Sequence, residues 1–227
     1  MSQPVVLISA GAEWRALKET LAGRAIASDP TPFGETFSLA LGPFNLTFLY
    51  GGWGKISAAA TAQYAIDHFH ADVLINLGTC GGLAGCIETG DILLVERTLV
   101  YDVLDQMGDP QAALAHYSTQ LDLSWLQGFA LPADVRRGPM LSADRDILSE
   151  DVPMLIERFQ AVAADWESGA IAWVAAKNQV RCLIMRGVSD MVSPEGGEAY
   201  GNVGLFHERT KTIMARLIEI LPLFLKT

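Results

Sequence analysis

Several functional classes are excluded by what this chain of 227 residues has little of. Cysteine is sparse: Cys80, Cys86 and Cys182 are an odd number at spacings that match no disulfide framework and no zinc knuckle. A disulfide scaffold is therefore excluded, and a reducing compartment, the cytoplasm, fits best. The four histidines, His68, His70, His116 and His207, include no pair at metal-ligand helical spacing, so no metal site is expected. No apolar run reaches the roughly 18 residues of a membrane span. The apolar stretch PVVLISA near the N-terminus is too short for a signal-peptide core and has no basic residue before it, so no membrane partner is expected. Positive charge is scarce too. Sixteen Lys and Arg against 26 Asp and Glu give a net charge of −10, a field that repels a phosphate backbone and excludes nucleic acid as a partner.

Apolar residues are plentiful, at half of the chain, with a mean hydropathy of +0.26. That is rich for a soluble monomer and favours a homo-oligomer that buries apolar surface between subunits. No internal repeat, low-complexity tract or linker divides the chain, so residues 1–227 read as a single domain.

Residues 4–9 form a short apolar run, then Glu13, Trp14, Leu17 and Leu21 follow at helical spacing: strand, then helix, with Glu13 at the turn. ETFSLA and NLTFLYG flank Gly42-Pro43 as an antiparallel hairpin. GKISAAATAQYAIDHF is helical, and ADVLINLG is a buried strand. GTCGGLAG, 78–85, reads as a glycine-rich loop that lets backbone approach a ligand. GDILLVERTLVYDV reads as one or two strands, 104–134 as a loop with a short helix, and RRGPMLSA as a strand. DILSEDVPMLIERF reads as a helix broken at Pro153, AVAADW as a strand, SGAIAWVAAKNQ as an amphipathic helix and VRCLIMRGVSD as the last buried strand. A terminal helix over about 203–225 packs Leu205, Ile213, Leu217, Ile220 and Leu221. Strands alternating with helices predict an α/β fold: one three-layer domain, a mixed twisted central sheet flanked by helices.

Two acids stand where apolar strands end, Glu167 after AVAADW and Asp190 closing VRCLIMRGVSD. In open α/β sheets ligands enter at the carboxyl ends of the strands, so both are candidates for chemistry.

Four segments in register, GKISAAATAQYAIDHFHADVLINLGTCGGLAG, GDILLVE, ADWESGAIAWVA and VRCLIMRGVSD, resemble the nucleoside phosphorylase and nucleosidase superfamily over most of the chain. The similarity is to its methylthioadenosine/S-adenosylhomocysteine nucleosidase branch. It implies a cofactor-independent hydrolysis of the N-glycosidic bond of a purine nucleoside, 5′-modified such as methylthioadenosine. Breaking that bond leaves an anionic base unless the ring is protonated and builds positive charge on the sugar. By resemblance Asp190, beside Ser189, is the acid that protonates the base. Glu167 binds the ribose hydroxyls, and Trp166 stands where the family has a Met on the sugar. Glu13 activates the water, aided by Thr79 and Arg186, while Gly78, Gly81 and Gly82 let backbone approach the nucleoside. The resemblance also implies oligomers, with a dimer favoured.

Departures from the pattern leave alternatives. SADRDI, 142–147, puts Asp146 where an aromatic residue commonly stacks on the base, followed by Ile147. Tyr200, Met191 and Phe206 are candidate linings at the 5′ end. A phosphorylase is the second reading. The arginine that family phosphorylases carry before the glycine-rich loop is replaced here by Asn76-Leu77, which favours water over phosphate. A nucleoside-binding module without turnover is the third.

Overall fold

The computed structural model describes residues 3–126 and 130–225. The first half runs β1 (Pro4–Ile8), α1 (Gly11–Thr20), β2 (Asp29–Thr31), β3 (Gly34–Leu41), β4 (Phe44–Tyr50), α2 (Lys55–Phe69) and β5 (Val73–Leu83). Then follow β6 (Ile92–Val100), α3 (Pro110–His116), β7 (Ser118–Gln120), β8 (Val135–Ser142), α4 (Val152–Phe159), β9 (Ala163–Asp165), α5 (Ser168–Lys177), β10 (Arg181–Ser193), β11 (Gly196–Gly197) and α6 (Val203–Ile220).

The strands build one mixed sheet around β5. On one edge β5 pairs in parallel with β10 along its whole length. On the other it pairs with β1 at its start and with β9 at Gly81 and Gly82. β10 continues to β6, β6 to β8, and β8 to β9, so these five strands close on themselves. β4, β3 and β2 extend outward from β1 as an open sheet. Two-residue periodicity assigns the faces. Val6, Ile8, Ile75, Leu77, Leu183 and Met185 pack with Trp14 and Leu17 of α1 and Met214 and Leu217 of α6. Their neighbours Val5, Leu7, Leu74, Cys182 and Ile184 pack with the alanines of α2 and with Ile171 and Val174 of α5. Three layers result, as the alternation of elements predicts. Among the described residues no helix is long and apolar enough to cross a membrane.

Four expectations need correction. Gly78, Gly81 and Gly82 lie inside β5, not in a loop. A Cβ at Gly82 would come within 2.8 Å of Met191 Sδ and of a Val188 methyl, so this glycine makes room for packing instead of for a ligand. α5 is not amphipathic: seven of its ten residues, on all sides, are buried, because it is covered by α2 as well as by the sheet. Pro153 does not break a helix but stands in the first turn of α4, where its missing N–H costs nothing. The segment read as loop with a short helix contains α3 and also β7, which pairs with β6; positions 127–129 of it lie outside the described residues.

The feature of most consequence is a bulge. The β10–β5 register shifts between Val188 and Asp190, leaving Ser189 as the extra residue. Asp190 is thus inside β10 and not after it.

Candidate active site

A cavity of about 570 Å³ opens where β1, β5, β9 and β10 end or bend. Glu13, Thr79, Gly81, Asp146, Ile147, Trp166, Glu167, Ser189 and Asp190 line it. On a regular strand, successive side chains point to opposite faces. The bulge in β10 removes that restriction, and Ser189 and Asp190 both reach the cavity. Three acids separated by up to 177 positions therefore share one chamber, 13 on the first helix and 190 on the last long strand.

Glu13 is buried in the first turn of α1, where its Oε2 accepts a hydrogen bond from the backbone N–H of Ala10 at 3.1 Å. That contact is half of a capping box; Ala10 has no side-chain oxygen to supply the other half. Its Oε1 accepts from the backbone N–H of Thr79 at 2.6 Å and from the Thr79 hydroxyl at 2.9 Å. The carboxylate is thereby fixed against β5.

Glu167 immediately precedes α5, and its Oε1 accepts from the backbone N–H of Gly54 at 3.0 Å. Burial pushes its carboxyl up to about 7; Arg186 opposes that shift, and the nearby charges of Asp165 and Glu13 add to it. Asp190 accepts at Oδ1 from the Ser189 hydroxyl at 2.6 Å. Burial raises its pKa above the ordinary range, against the Ser189 hydrogen bond and the charge of Arg209, with Glu198 and Asp146 raising it further. A proton on Asp190 is held to higher pH than on a solvated aspartate.

Arg186 and Gly78 do not line the cavity, which corrects Gly78 as a substrate contact and leaves Arg186 beside Glu13 and not beside the water. Arg186 is fully buried behind the wall. Its Nη2 lies 2.9 Å from Asp165 Oδ2 and 3.4 Å from Glu167 Oε2, and its Nη1 lies 3.5 Å from Glu13 Oε1. Nη2 also donates to Asn76 Oδ1 at 2.7 Å, and Nε donates to the Ser168 hydroxyl at 3.2 Å. Burial alone would favour loss of its proton, but the three carboxylates outweigh that and hold it charged.

Tyr200 and Phe206 line the cavity; Met191 does not and packs on the α2–α5 side of the sheet. Sequence reasoning missed Asp165 and Trp53, which line it as well. Asp165 had a signal, an acid two residues before Glu167 at the end of an apolar strand. Trp53 is an aromatic residue set between Gly52 and Gly54, a combination no core position needs. Its ring centroid lies 5.2 Å from that of Trp166, with the planes at 53°. Among the described residues no cluster of three or more His, Cys, Asp or Glu is placed to hold a metal ion.

Residues 7–223 match the sequence pattern of the Phosphorylase superfamily. The chain belongs to that family. A 5′-methylthioadenosine/S-adenosylhomocysteine nucleosidase of Buchnera aphidicola is 29% identical over 168 residues, covering 68% of this chain and 72% of the relative. A solved nucleosidase of the same name from Helicobacter pylori superposes with a TM-score of 0.79 at 19% identity, over 99% of this chain and 97% of that one. The futalosine hydrolase of the same organism superposes with a TM-score of 0.78 at 19% identity, also over 99% and 97%. The fold therefore agrees with family members that carry different substrate names, and the cavity has to be read from its own side chains.

Proposed function

We propose that this chain, working as one domain, is an N-glycosyl hydrolase of purine nucleosides with a 5′-modified substrate such as methylthioadenosine. The observation that carries the reading is the convergence of Asp190, Glu167 and Glu13 on one cavity. Asp190, whose protonated form burial favours, delivers a proton to N7 of the purine as the C1′–N9 bond breaks, so that the base leaves neutral. Glu167 in its ionised form accepts hydrogen bonds from the ribose 2′ and 3′ hydroxyls and offsets the positive charge on the sugar. Glu13, fixed by Thr79 and Ala10, orients a water and takes its proton as the oxygen bonds to C1′. Free base for salvage and the 5-substituted ribose result.

Water is favoured over phosphate by the local charge. Arg145 lines the cavity but is committed to Asp151 at 2.7 Å, and Arg186 is sealed behind the carboxylates. A phosphate dianion beside Glu13 would be repelled, whereas a neutral water is activated there. The deciding assay is base release from a panel of nucleosides with and without phosphate. Release at the same rate in phosphate-free buffer, with a free sugar as product, supports hydrolysis; a phosphate requirement and a sugar 1-phosphate product would overturn it.

The protein works as a homo-oligomer, with a dimer favoured, in the reducing cytoplasm. Trp53, Ile56, Leu104 and Met107 are 63%, 85%, 81% and 100% exposed, an unusual group of large apolar side chains. An ion pair from Lys55 to Asp102 ties the segment bearing the first two to the segment bearing the others. A second copy seated there would cover Trp53 at the cavity rim. The thiols Cys80, Cys86 and Cys182 are unpaired, in keeping with a reducing compartment.

A further inference from the structure

Asp165 is the best-anchored acid of the buried cluster, yet it has no part in the reaction described above. Its Oδ1 accepts from the Ser142 hydroxyl at 2.7 Å and from the backbone N–H of Ser168 at 3.1 Å. Its Oδ2 accepts from the Ser168 hydroxyl and lies 2.9 Å from Arg186 Nη2. The Ser142 hydroxyl is itself fixed, since it accepts from the backbone N–H of Gly169 at 2.8 Å. A carboxylate so fully engaged has no lone pair left for a sugar hydroxyl. It also sits at the N-terminus of α5, where exposed backbone N–H groups and the helix dipole favour negative charge.

The three acids share Arg186 unequally. Asp165 is at 2.9 Å, while Glu167 and Glu13 are at 3.4 and 3.5 Å on opposite terminal nitrogens of the guanidinium. One fully buried cation faces three carboxylates, so whichever acid grips it hardest decides how much of its charge the others feel. We propose that Asp165 is a positioning residue that acts through Arg186: by taking the tightest share of the guanidinium it leaves Glu167 and Glu13 only weakly paired to that cation, turned to the cavity and short of countercharge. The roles given to those two acids rest on the functional reading above.

The groups that face Glu167 are Arg186 from β10, Asp165 from β9, Glu13 from α1 and the Gly54 N–H ahead of α2. Removing the charge of Asp165 takes away one repulsion and frees Arg186 for Glu167, and both changes favour ionised Glu167. The test follows the side-chain carboxyl carbon of Glu167 by pH titration in full-length protein labelled with 13C-glutamate, assigned with Glu167→Gln. The parent midpoint is expected near 7, and in Asp165→Asn it is expected to fall by about one pH unit, with turnover of methylthioadenosine lowered about tenfold. An unmoved midpoint in folded Asp165→Asn overturns the proposal. If that variant does not fold, Ser142→Ala, which frees one side of Asp165, carries the same test: a shifted midpoint supports the proposal and an unshifted one overturns it. The titration needs no turnover, so a parent protein inactive on every nucleoside would defeat the functional reading and leave this result standing.

Discussion

Gly78 and Arg186 are register partners across the parallel pair β5 and β10, and the glycine is what lets the arginine reach Glu13. A Cβ at position 78 would come within 2.3 Å of Arg186 Nη1 and 2.5 Å of Glu13 Oε1. Neither group can retreat, since the guanidinium is fully buried and the carboxylate is 2% exposed and tied to Thr79. Gly78→Ala is therefore expected to cost about 1–3 kcal/mol of stability, the usual range for overpacking. Because the displaced atoms belong to Glu13, turnover is expected to fall by about 100-fold, as misplacement of a reacting group does. Thermal unfolding and steady-state kinetics on the same sample check both. A variant with the parent's melting temperature and rate would contradict this account of position 78.

Asp190 gives a prediction about acid. Its raised pKa keeps the carboxyl protonated at higher pH than an exposed aspartate would be, and the proposed reaction uses the protonated form. The rate is therefore expected to fall as pH rises through a limb above the usual carboxylate range. Asp190→Asn should lose about two to four orders of magnitude in kcat, the scale of a lost general acid, while still binding a nucleoside. Substrates with a base that leaves without protonation should be spared most of that loss. Equal losses on both kinds of substrate would remove Asp190 from the proton transfer.

The central sheet and the three acids were legible in the sequence because each has a local signature. β1, β5 and β10 are continuous apolar runs, and the hairpin of β3 and β4 follows from strands flanking Gly42-Pro43. Long-range pairing was not legible. Nothing within GTCGGLAG says that β10 will run alongside it and draw it into a strand, so its glycines read as a loop. The bulge at Ser189 is invisible for the same reason, since it exists only relative to β5. Arg186 could be seen as important, but which groups hold it could not: its place behind the cavity wall depends on Asn76, Asp165 and Ser168 meeting it from three other segments. Asp165 was hidden by Glu167, two positions away and closer to the family pattern.

Glu167 links the site to stability. Its folded-state pKa of about 7 lies above the ordinary glutamate value of 4.5, so between these values the folded protein holds more protons than the unfolded chain. Stability contributed by the neutral form is present at low pH and is lost as pH rises through that window. Replacement by the uncharged isostere removes the penalty. Glu167→Gln is expected to be no more stable than the parent at pH 4.5 and more stable at pH 8, with a gap of about 1–3 kcal/mol opening between. Denaturant unfolding across this range measures it. Catalysis should move the other way, with weaker binding of ribonucleosides and little change for 2′-deoxy analogues that already lack one of the hydroxyls. A stability difference independent of pH would mean that Glu167 is ionised throughout.

Trp53 and Trp166 flank the same carboxylate, since Trp53 precedes the Gly54 whose N–H binds Glu167 and Trp166 precedes Glu167 itself. Their rings form an open corner, 5.2 Å apart and tilted by 53°, on the wall of the cavity. Trp53 is 63% exposed, so a ligand that enters this corner must take one indole out of water. Binding a non-hydrolysable 5′-thio nucleoside is expected to shift indole emission to the blue, and Trp53→Ala should abolish most of that shift. An aromatic contact of this kind is worth about 0.5–1.5 kcal/mol, so Trp53→Ala should weaken binding of an apolar 5′-thio analogue roughly three- to tenfold. The 5′-hydroxyl analogue offers the corner no apolar group and should lose much less. If both analogues lose affinity equally, the tryptophans contact the sugar or the base, and selection at the 5′ position has to come from Tyr200, Phe206 or a neighbouring subunit.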